Sequence, residues 1–363
     1  MDKVTRIVLT GGPCGGKTTA LEKIAERLRA LGQRVFMVPE VPTMVINGGA
    51  TFAGASLDTV MAIEGSMLGL QMALEDHFLL MARRGAGPAV VLCDRGTIDV
   101  SAYVPPSMWQ GLLDENGWSQ VALRDQRYDA VVHLVTAAEG AEAFYTTANN
   151  AARRETPEQA RKLDERLRDV WVGHPRLRVI DNSTDFKGKV RRVVQAVCHV
   201  VGEPEPVEIE RKFLVRAAPS KLPVQAAEVE IEQTYLAGID GTEERVRRRG
   251  QSGSFAYTHT IKRPLAAGQR VEVARTITAR EYLTLLGRAD PRRQRVHKLR
   301  TCFLWKKTYF ELDRFIDPRP GLALLEAELE RTDDALSLPD FIQVEREVTG
   351  EAAFYSHVMA LRG

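Results

Sequence analysis

Apolar positions along this chain change rhythm near its middle. In the first half, short unbroken apolar runs alternate with stretches of helical period. Residues 6–10 (RIVLT), 35–38, 89–93, 130–135 and 177–180 read as strands, and the continuous runs at 89–93 and 130–135 are those of parallel strands covered on both faces. Between them, 18–31 puts Leu21, Ile24, Ala25 and Leu28 on one helical face, and 187–201 reads as a closing helix. Strands alternating with helices predict an α/β doubly wound parallel sheet.

The second half runs at period 2. Residues 243–249 (EERVRRR), 257–262 (YTHTIK), 270–277 and 303–315 read as strands, with helices expected at 280–286 and 352–361. Many strands joined by turns predict an antiparallel sheet or β-barrel, giving an α+β second domain. Two prolines within GEPEP (202–206) end the preceding helix and mark a linker. The expected organisation is therefore a domain at 1–202, a linker at 203–206 and a domain at 207–363.

Composition excludes several classes. The net charge of +2 over 363 residues, evenly shared by the two halves, makes the chain no polycation, and nucleic-acid binding is not expected. Any anion site must come from local arrangement. Cys14, Cys93, Cys198 and Cys302 are scattered without C-x-x-C or zinc spacing, so free thiols in a reducing compartment are expected. The first residues (MDKVTRIVLT) enter a strand directly, and no run of 18 apolar residues is unbroken; a cytoplasmic protein is expected. Oligomeric state is not legible.

Two motifs carry chemistry. Residues 11–18 (GGPCGGKT) meet the G-x-x-x-x-G-K-[ST] phosphate loop, after a strand and before a helix. Gly11, Gly12, Gly15 and Gly16 let backbone N–H groups converge on an anion, and the helix opening at Thr18 and Thr19 adds its N-terminal partial charge. Lys17 would reach the β- and γ-phosphates, and the Thr18 hydroxyl would ligate Mg²⁺. Further along, Glu40 ends the second strand where an acceptor hydroxyl could lose its proton. Asp94 ends the third, placed to hold the Mg²⁺ hydration shell, with Arg95 after it; Arg153 and Arg154 open a charged stretch able to close over the nucleotide. This set, and DRGTIDVSAY (94–103) in particular, resembles the nucleoside and nucleoside-monophosphate kinase branch of P-loop proteins. No N-K-x-D stretch marks guanine, so ATP and GTP both stay open.

The second motif is spread over strands. Glu208, Glu210 and Lys212 share one face, and acids and bases keep the same phase on later strands while Ile209, Val246, Ile261 and Leu312 between them are apolar. An apolar outer core with a wet, charged interior follows. Mg²⁺ or Mn²⁺ on Glu208, Glu210, Glu326 and Glu328 would offset the clustered carboxylates, and the bases would grip triphosphate oxygens. Residue by residue this half resembles the CYTH or triphosphate-tunnel family: E-x-E-x-K at Glu208, Glu210 and Lys212; bases at Arg245, Arg247, Arg249, Lys262, Arg270, Lys298 and Arg300; acids at Glu272, Glu311, Asp313, Glu326 and Glu328; and EVTGE at 347–351. The resemblance implies Lys212 and Lys262 as catalytic groups, and Glu272, Glu311 and Asp313 as further metal ligands. Ala274 departs from it, standing where many members carry another acid.

The pairing resembles the TRPL translocation defect protein family, which implies nucleotide binding, GTP included, and an anionic phospholipid headgroup such as that of phosphatidic acid. Two readings follow. One is metal-dependent hydrolysis of inorganic triphosphate or another phosphoanhydride in the tunnel, with a P-loop domain that transfers phosphoryl groups or gates the tunnel. The other is a regulatory module that binds nucleoside triphosphate and a phosphate headgroup without turnover. Adenylate cyclase chemistry would share the tunnel, but no adenine pocket is legible there.

Overall fold

The computed structural model describes residues 4–145, 156–203, 207–219, 221–237, 242–266, 269–329 and 336–362. The chain divides into two compact units, Met1–Glu203 and Pro204–Gly363. Arg153, Arg154 and most of the linker at 203–206 lie outside the described residues, as do the side chains of Glu208, Arg270 and Glu272.

In the first unit five strands, β1 (Val4–Thr10), β2 (Arg34–Val38), β3 (Ala89–Asp94), β4 (Ala130–Leu134) and β5 (Leu177–Ile180), pair in parallel in the order β2-β3-β1-β4-β5. β1, β3 and β4 are almost wholly buried, as their unbroken apolar runs require. Helices α1 (Lys17–Ala30) and α6 (Phe186–Val201) cover one face, where Leu21, Ile24, Leu28, Val193 and Val197 meet Ile7, Leu9, Val90 and Val132. The 28-residue α3 (Leu57–Arg84) covers the other; it follows the short α2 (Val41–Asn47), and α4 (Pro106–Asn116) and α5 (Pro157–Asp169) complete the unit. The chain leaves β1 toward β2 on one side, and from β3 it crosses to β4 on the other. That reversal opens a crevice at the carboxyl ends of β1 and β3, the standard place for a ligand in such sheets.

The second unit is an antiparallel sheet of ten strands. They are β6 (Val207–Glu208), β7 (Glu210–Ala217), β8 (Ala226–Tyr235), β9 (Glu243–Gln251), β10 (Ser254–Ala266), β11 (Gln269–Ile277), β12 (Val296–Trp305), β13 (Thr308–Asp317), β14 (Ala323–Glu328) and β15 (Gln343–Glu347). β6 and β7 are two halves of one extended segment broken at Ile209. The first half pairs with β11 and the second with β14 and β15, so the segment joins both ends of the strand order and closes a ring. Outside the ring, Phe213, Phe303, Phe310, Leu312 and Leu325 form one apolar cluster. Val246 and Ile277 form another with Tyr282, Leu285 and Leu286 of α7 (Ala279–Leu286).

Two expectations are corrected. The stretch 303–315 is not one strand: it turns at Lys306 and Lys307, both left-handed (φ 46 and 68), in a two-residue hairpin that pairs Trp305 with Thr308. The helix expected over 352–361 is split into a 3-10 turn, Ala352–Phe354, and the short α8, Ser356–Met359. Among the described residues no helix is long and apolar enough to cross a membrane, and the four cysteines are free thiols.

Candidate functional site

The phosphate loop stands between β1 and α1, and its shape leaves no room for side chains at its glycines. A Cβ at Gly11 (φ 138) would lie 2.1 Å from the Leu134 carbonyl oxygen, and one at Gly16 (φ 88) would lie 2.6 Å from the Phe186 ring. Lys17 opens α1 and folds back over the loop, its Nζ donating to the carbonyls of Gly11 at 2.8 Å and Gly12 at 3.2 Å. Burial, reinforced by the charge of Arg95, lowers the Lys17 ammonium to about 8. A phosphate there would supply the missing counter-charge.

The loop is fastened from behind by a residue that the sequence does not single out. Asp164 of α5 is buried, and its Oδ1 accepts from the Gly12 N–H at 2.6 Å and the Thr136 N–H at 3.1 Å, while Oδ2 lies 3.2 Å from His133 Nε2. Burial would raise this carboxyl, but His133 and the two amides outweigh it and hold it low. Lys189 of α6 is similarly structural, donating to the Val135 carbonyl at 2.5 Å and to Asn182 Oδ1 at 2.8 Å.

In front of the loop lies a cavity of about 1330 Å³ that brings together Lys17, Thr18, Thr19, Glu40, Asp94 and Arg95. Arg95 adopts a left-handed backbone (φ 71), with its N–H bonded to the Leu9 carbonyl at 2.9 Å. Its Nε donates to Glu40 Oε1 at 2.5 Å, and the Thr43 hydroxyl donates to Glu40 Oε2 at 2.5 Å. Burial alone would raise the Glu40 carboxyl; Arg95 and Thr43 bring it down to about 2. Two buried polar atoms at this site, Asp94 Oδ1 and Arg95 Nη1, have no hydrogen-bond partner among the described residues. Burial raises the Asp94 carboxyl in spite of Lys17 nearby. An orphaned carboxylate oxygen beside a phosphate loop fits a hydrated Mg²⁺, with Thr18 as the hydroxyl ligand. Asp99, in the same DRGTID stretch, is instead internal: it accepts from Thr10 Oγ1 and Trp171 Nε1, both at 2.7 Å, and from the Gly96 N–H at 3.0 Å.

The ring of the second unit collects on one face the predicted residues whose side chains are described. Register places Glu326 opposite Lys212 and Glu311, Arg300 opposite Asp313, and Lys262 opposite Glu243 and Glu272. Arg245, Arg247 and Arg249 stand opposite Tyr235, Gln233 and Ile231 on that same face. The acids and bases are engaged with one another. Lys212 Nζ pairs with Glu326 and lies 3.1 Å from Glu210 Oε1. Arg300 Nε bonds Asp313 Oδ1 at 2.6 Å and its Nη2 bonds Glu326 Oε2 at 2.9 Å, with Glu311 also paired to Arg300 and Asp313 to Lys298. Burial alone would lower the Lys212 ammonium, but Glu210 and Glu326 raise it; burial prevails at Lys298 and lowers it. Burial would raise Glu326, yet Lys212, Lys298 and Arg300 hold it well below the usual carboxylate range. Arg249 Nη2 reaches Cys302 Sγ at 3.6 Å, and Glu328 is exposed at the end of β14.

Two features of this unit are not legible in the sequence. At one end of the ring the charged phase gives way to Tyr235, Val296, Phe315 and Leu324, which pack with Met359 and Ala360 of the C-terminal segment into an apolar stopper. Among the described residues, the group of His and acidic donor atoms close enough to share one ion is Glu230, Glu232 and His297, within 4.8 Å of one another. It lies on the opposite face of β8 and β12 from Arg300, outside the predicted metal set, and Arg248 and Arg295 each reach Glu232 at 2.9 Å.

Comparison with known proteins agrees with this division. The AAA domain family matches residues 6–189, and the CYTH domain family matches residues 206–353. No curated protein matches the chain. Among solved structures, an inorganic triphosphatase is 29% identical over 43% of this chain and 95% of its own, with a TM-score of 0.32. A protein from Pyrococcus horikoshii OT3 is 20% identical over 35% of this chain and 80% of its own, with a TM-score of 0.28. The chain belongs to the AAA domain family, as a P-loop domain joined to a CYTH domain.

Proposed function

We propose that this protein handles phosphoanhydrides at two separate sites. The P-loop unit binds ATP or GTP and transfers the γ-phosphoryl group to the hydroxyl of a small acceptor. The acceptor oxygen bonds to the γ-phosphorus, the bond to the β-phosphate bridge breaks with its electron pair left on the nucleoside diphosphate, and the hydroxyl proton, held in line by Glu40, passes to solvent as the bond to phosphorus forms. The observation that carries this reading is the cavity itself, which runs from the phosphate loop past Glu40, Asp94 and Arg95 into further space; a nucleotide switch needs no such compartment. Lys17 lies across the phosphates. Arg95, with Nη1 uncommitted, binds the transferring group while Glu40 fixes its other edge. Glu40, at about 2, stays ionised and orients the acceptor hydroxyl as a hydrogen-bond acceptor. A weak base suffices, because the transition state of phosphoryl transfer is loose and needs positioning and charge more than proton abstraction. Thr18 and Asp94 would hold Mg²⁺, which when bound neutralises charge on the phosphates.

In the tunnel the reading is hydrolysis of inorganic triphosphate or a related chain to a shorter phosphate and orthophosphate, supported within the ring by Lys212, Lys262, Lys298, Arg300 and by Arg245, Arg247 and Arg249 of β9. The test is phosphate release from triphosphate and from ATP, with Mg²⁺ or Mn²⁺, by wild type, Lys17→Ala and Glu326→Gln. Triphosphate turnover that survives Lys17→Ala and is lost in Glu326→Gln places hydrolysis in the tunnel. No turnover with either metal favours the second reading, a tunnel that holds a phosphate headgroup without cleaving it. The observation behind that alternative is that Glu311, Asp313 and Glu326 are each already bound to Lys or Arg.

A further inference from the structure

The cavity beside the phosphate loop extends along helix α3, which forms one of its walls. Val60, Glu64, Met67 and Gln71, spaced to share one helical face, all line it. Phe52 and Tyr103 contribute aromatic surface to the same cavity. Glu64 is out of place in such a wall. It is 7% exposed, and it makes no ion pair or hydrogen bond with any described residue. The neighbouring polar groups are committed elsewhere: Gln71 donates to Glu75 at 2.8 Å and to the Arg95 carbonyl at 3.4 Å, and Arg95 is held by Glu40. A desolvated carboxylate that faces the cavity and bonds no part of the fold does nothing to hold it together, so folding gives no reason for an acid here. Burial pushes its pKa up to about 7.

We infer that Glu64 docks a nitrogen centre of the phosphoryl acceptor, either a cationic amine or an N–H donor, in the apolar part of the cavity. This rests on the phosphotransferase reading above. The ionised carboxylate repels an anion, and an apolar group would leave it unsatisfied. A nitrogen cation or N–H donor satisfies it, and the aromatic surface of Phe52 suits a cation or a planar heterocycle, while Tyr103 already carries the Arg95 guanidinium over its ring. The nitrogen is unchanged by the reaction, in which the acceptor oxygen takes the γ-phosphoryl group.

The experiment uses the full chain with MgATP and three probes: choline, with a cationic nitrogen; cytidine, with a neutral N–H donor; and glycerol, with neither. Calorimetry gives binding, and product analysis gives phosphate transfer. At least one nitrogen probe should bind about tenfold or more tightly than glycerol, a difference of about 1.4 kcal/mol. Glu64→Leu should erase that advantage without changing the affinity for MgATP. Glu64→Gln should retain cytidine binding if the centre is an N–H donor, and lose choline binding if it is a cation. Removal of an unpartnered acid should also raise the melting temperature of the ligand-free Glu64→Leu variant by a few degrees. The inference is overturned if neither nitrogen probe outbinds glycerol, if Glu64→Leu keeps the preference, or if that variant melts lower than wild type. Binding that depends on Glu64 with no phosphate moved from ATP would instead refute phosphoryl transfer and leave the docking role standing.

Discussion

Asp164 accepts the Gly12 N–H at 2.6 Å, which ties the phosphate loop to helix α5 across 152 positions of sequence. Asp164→Ala would leave the Gly12 and Thr136 amides and His133 without their acceptor. We expect a loss of about 1–3 kcal/mol in stability, read by urea denaturation, and weaker nucleotide binding. The tie also has a pH signature. The folded-state pKa is depressed, so its contribution is fully present above the ordinary carboxylate range, and it fades as pH falls below that range through the lower folded value. The stability difference between wild type and Asp164→Ala should therefore be flat near neutrality and shrink in acid.

Glu40 and Arg95 should behave as a unit. Glu40→Gln keeps the size of the side chain but releases the Arg95 guanidinium, whose position the 2.5 Å contact fixes. Misplacement of such a group costs about a hundredfold in rate. Steady-state kinetics should show that loss in kcat, with the affinity for MgATP unchanged; a loss confined to nucleotide binding would contradict the role assigned to the pair.

Arg300 is the hub of the tunnel network, engaging Asp313, Glu311 and Glu326. Arg300→Met removes the cation and leaves acids buried, so about 3–5 kcal/mol should be lost. Arg300→Met combined with Asp313→Leu should recover part of that loss. Denaturation of the four members of this double-mutant cycle measures the coupling, and strict additivity would mean that the network contributes nothing as a network.

The hairpin at Lys306 and Lys307 is strained in both residues. Lys306→Asn with Lys307→Gly supplies the residues that a left-handed two-residue turn prefers, and should stabilise the chain by about 1 kcal/mol, seen as a higher melting temperature.

These particulars separate what sequence can convey from what it cannot. The phosphate loop was legible because its chemistry is contiguous, and the tunnel because period 2 writes its two faces directly into the chain. The turn at Lys306 was hidden, since two lysines carry no turn signal. Asp164 and Glu64 were hidden for a different reason: each is one acid on a helix with other charges, and only the fold buries it. The stopper formed by Val296, Phe315 and Leu324 escaped because these residues continue the phase of the charged positions, and a change of polarity along one strand face reads as noise until the ring is closed. Arg153 and Arg154 lie outside the described residues.

The broken segment β6–β7 bears on how the chain is made. Residues 210–217 cannot complete their pairing until residues 323–328 and 343–347 have been synthesised, more than a hundred positions later. The P-loop unit has every strand of its sheet by Ile180 and its closing helix by Val201. Synthesis from the N-terminus therefore lets the P-loop unit fold while the ring is still open on the ribosome, with a high contact order slowing the later step. Unsealed strands of the second unit are thus the stage at which the nascent chain is most exposed to misassembly.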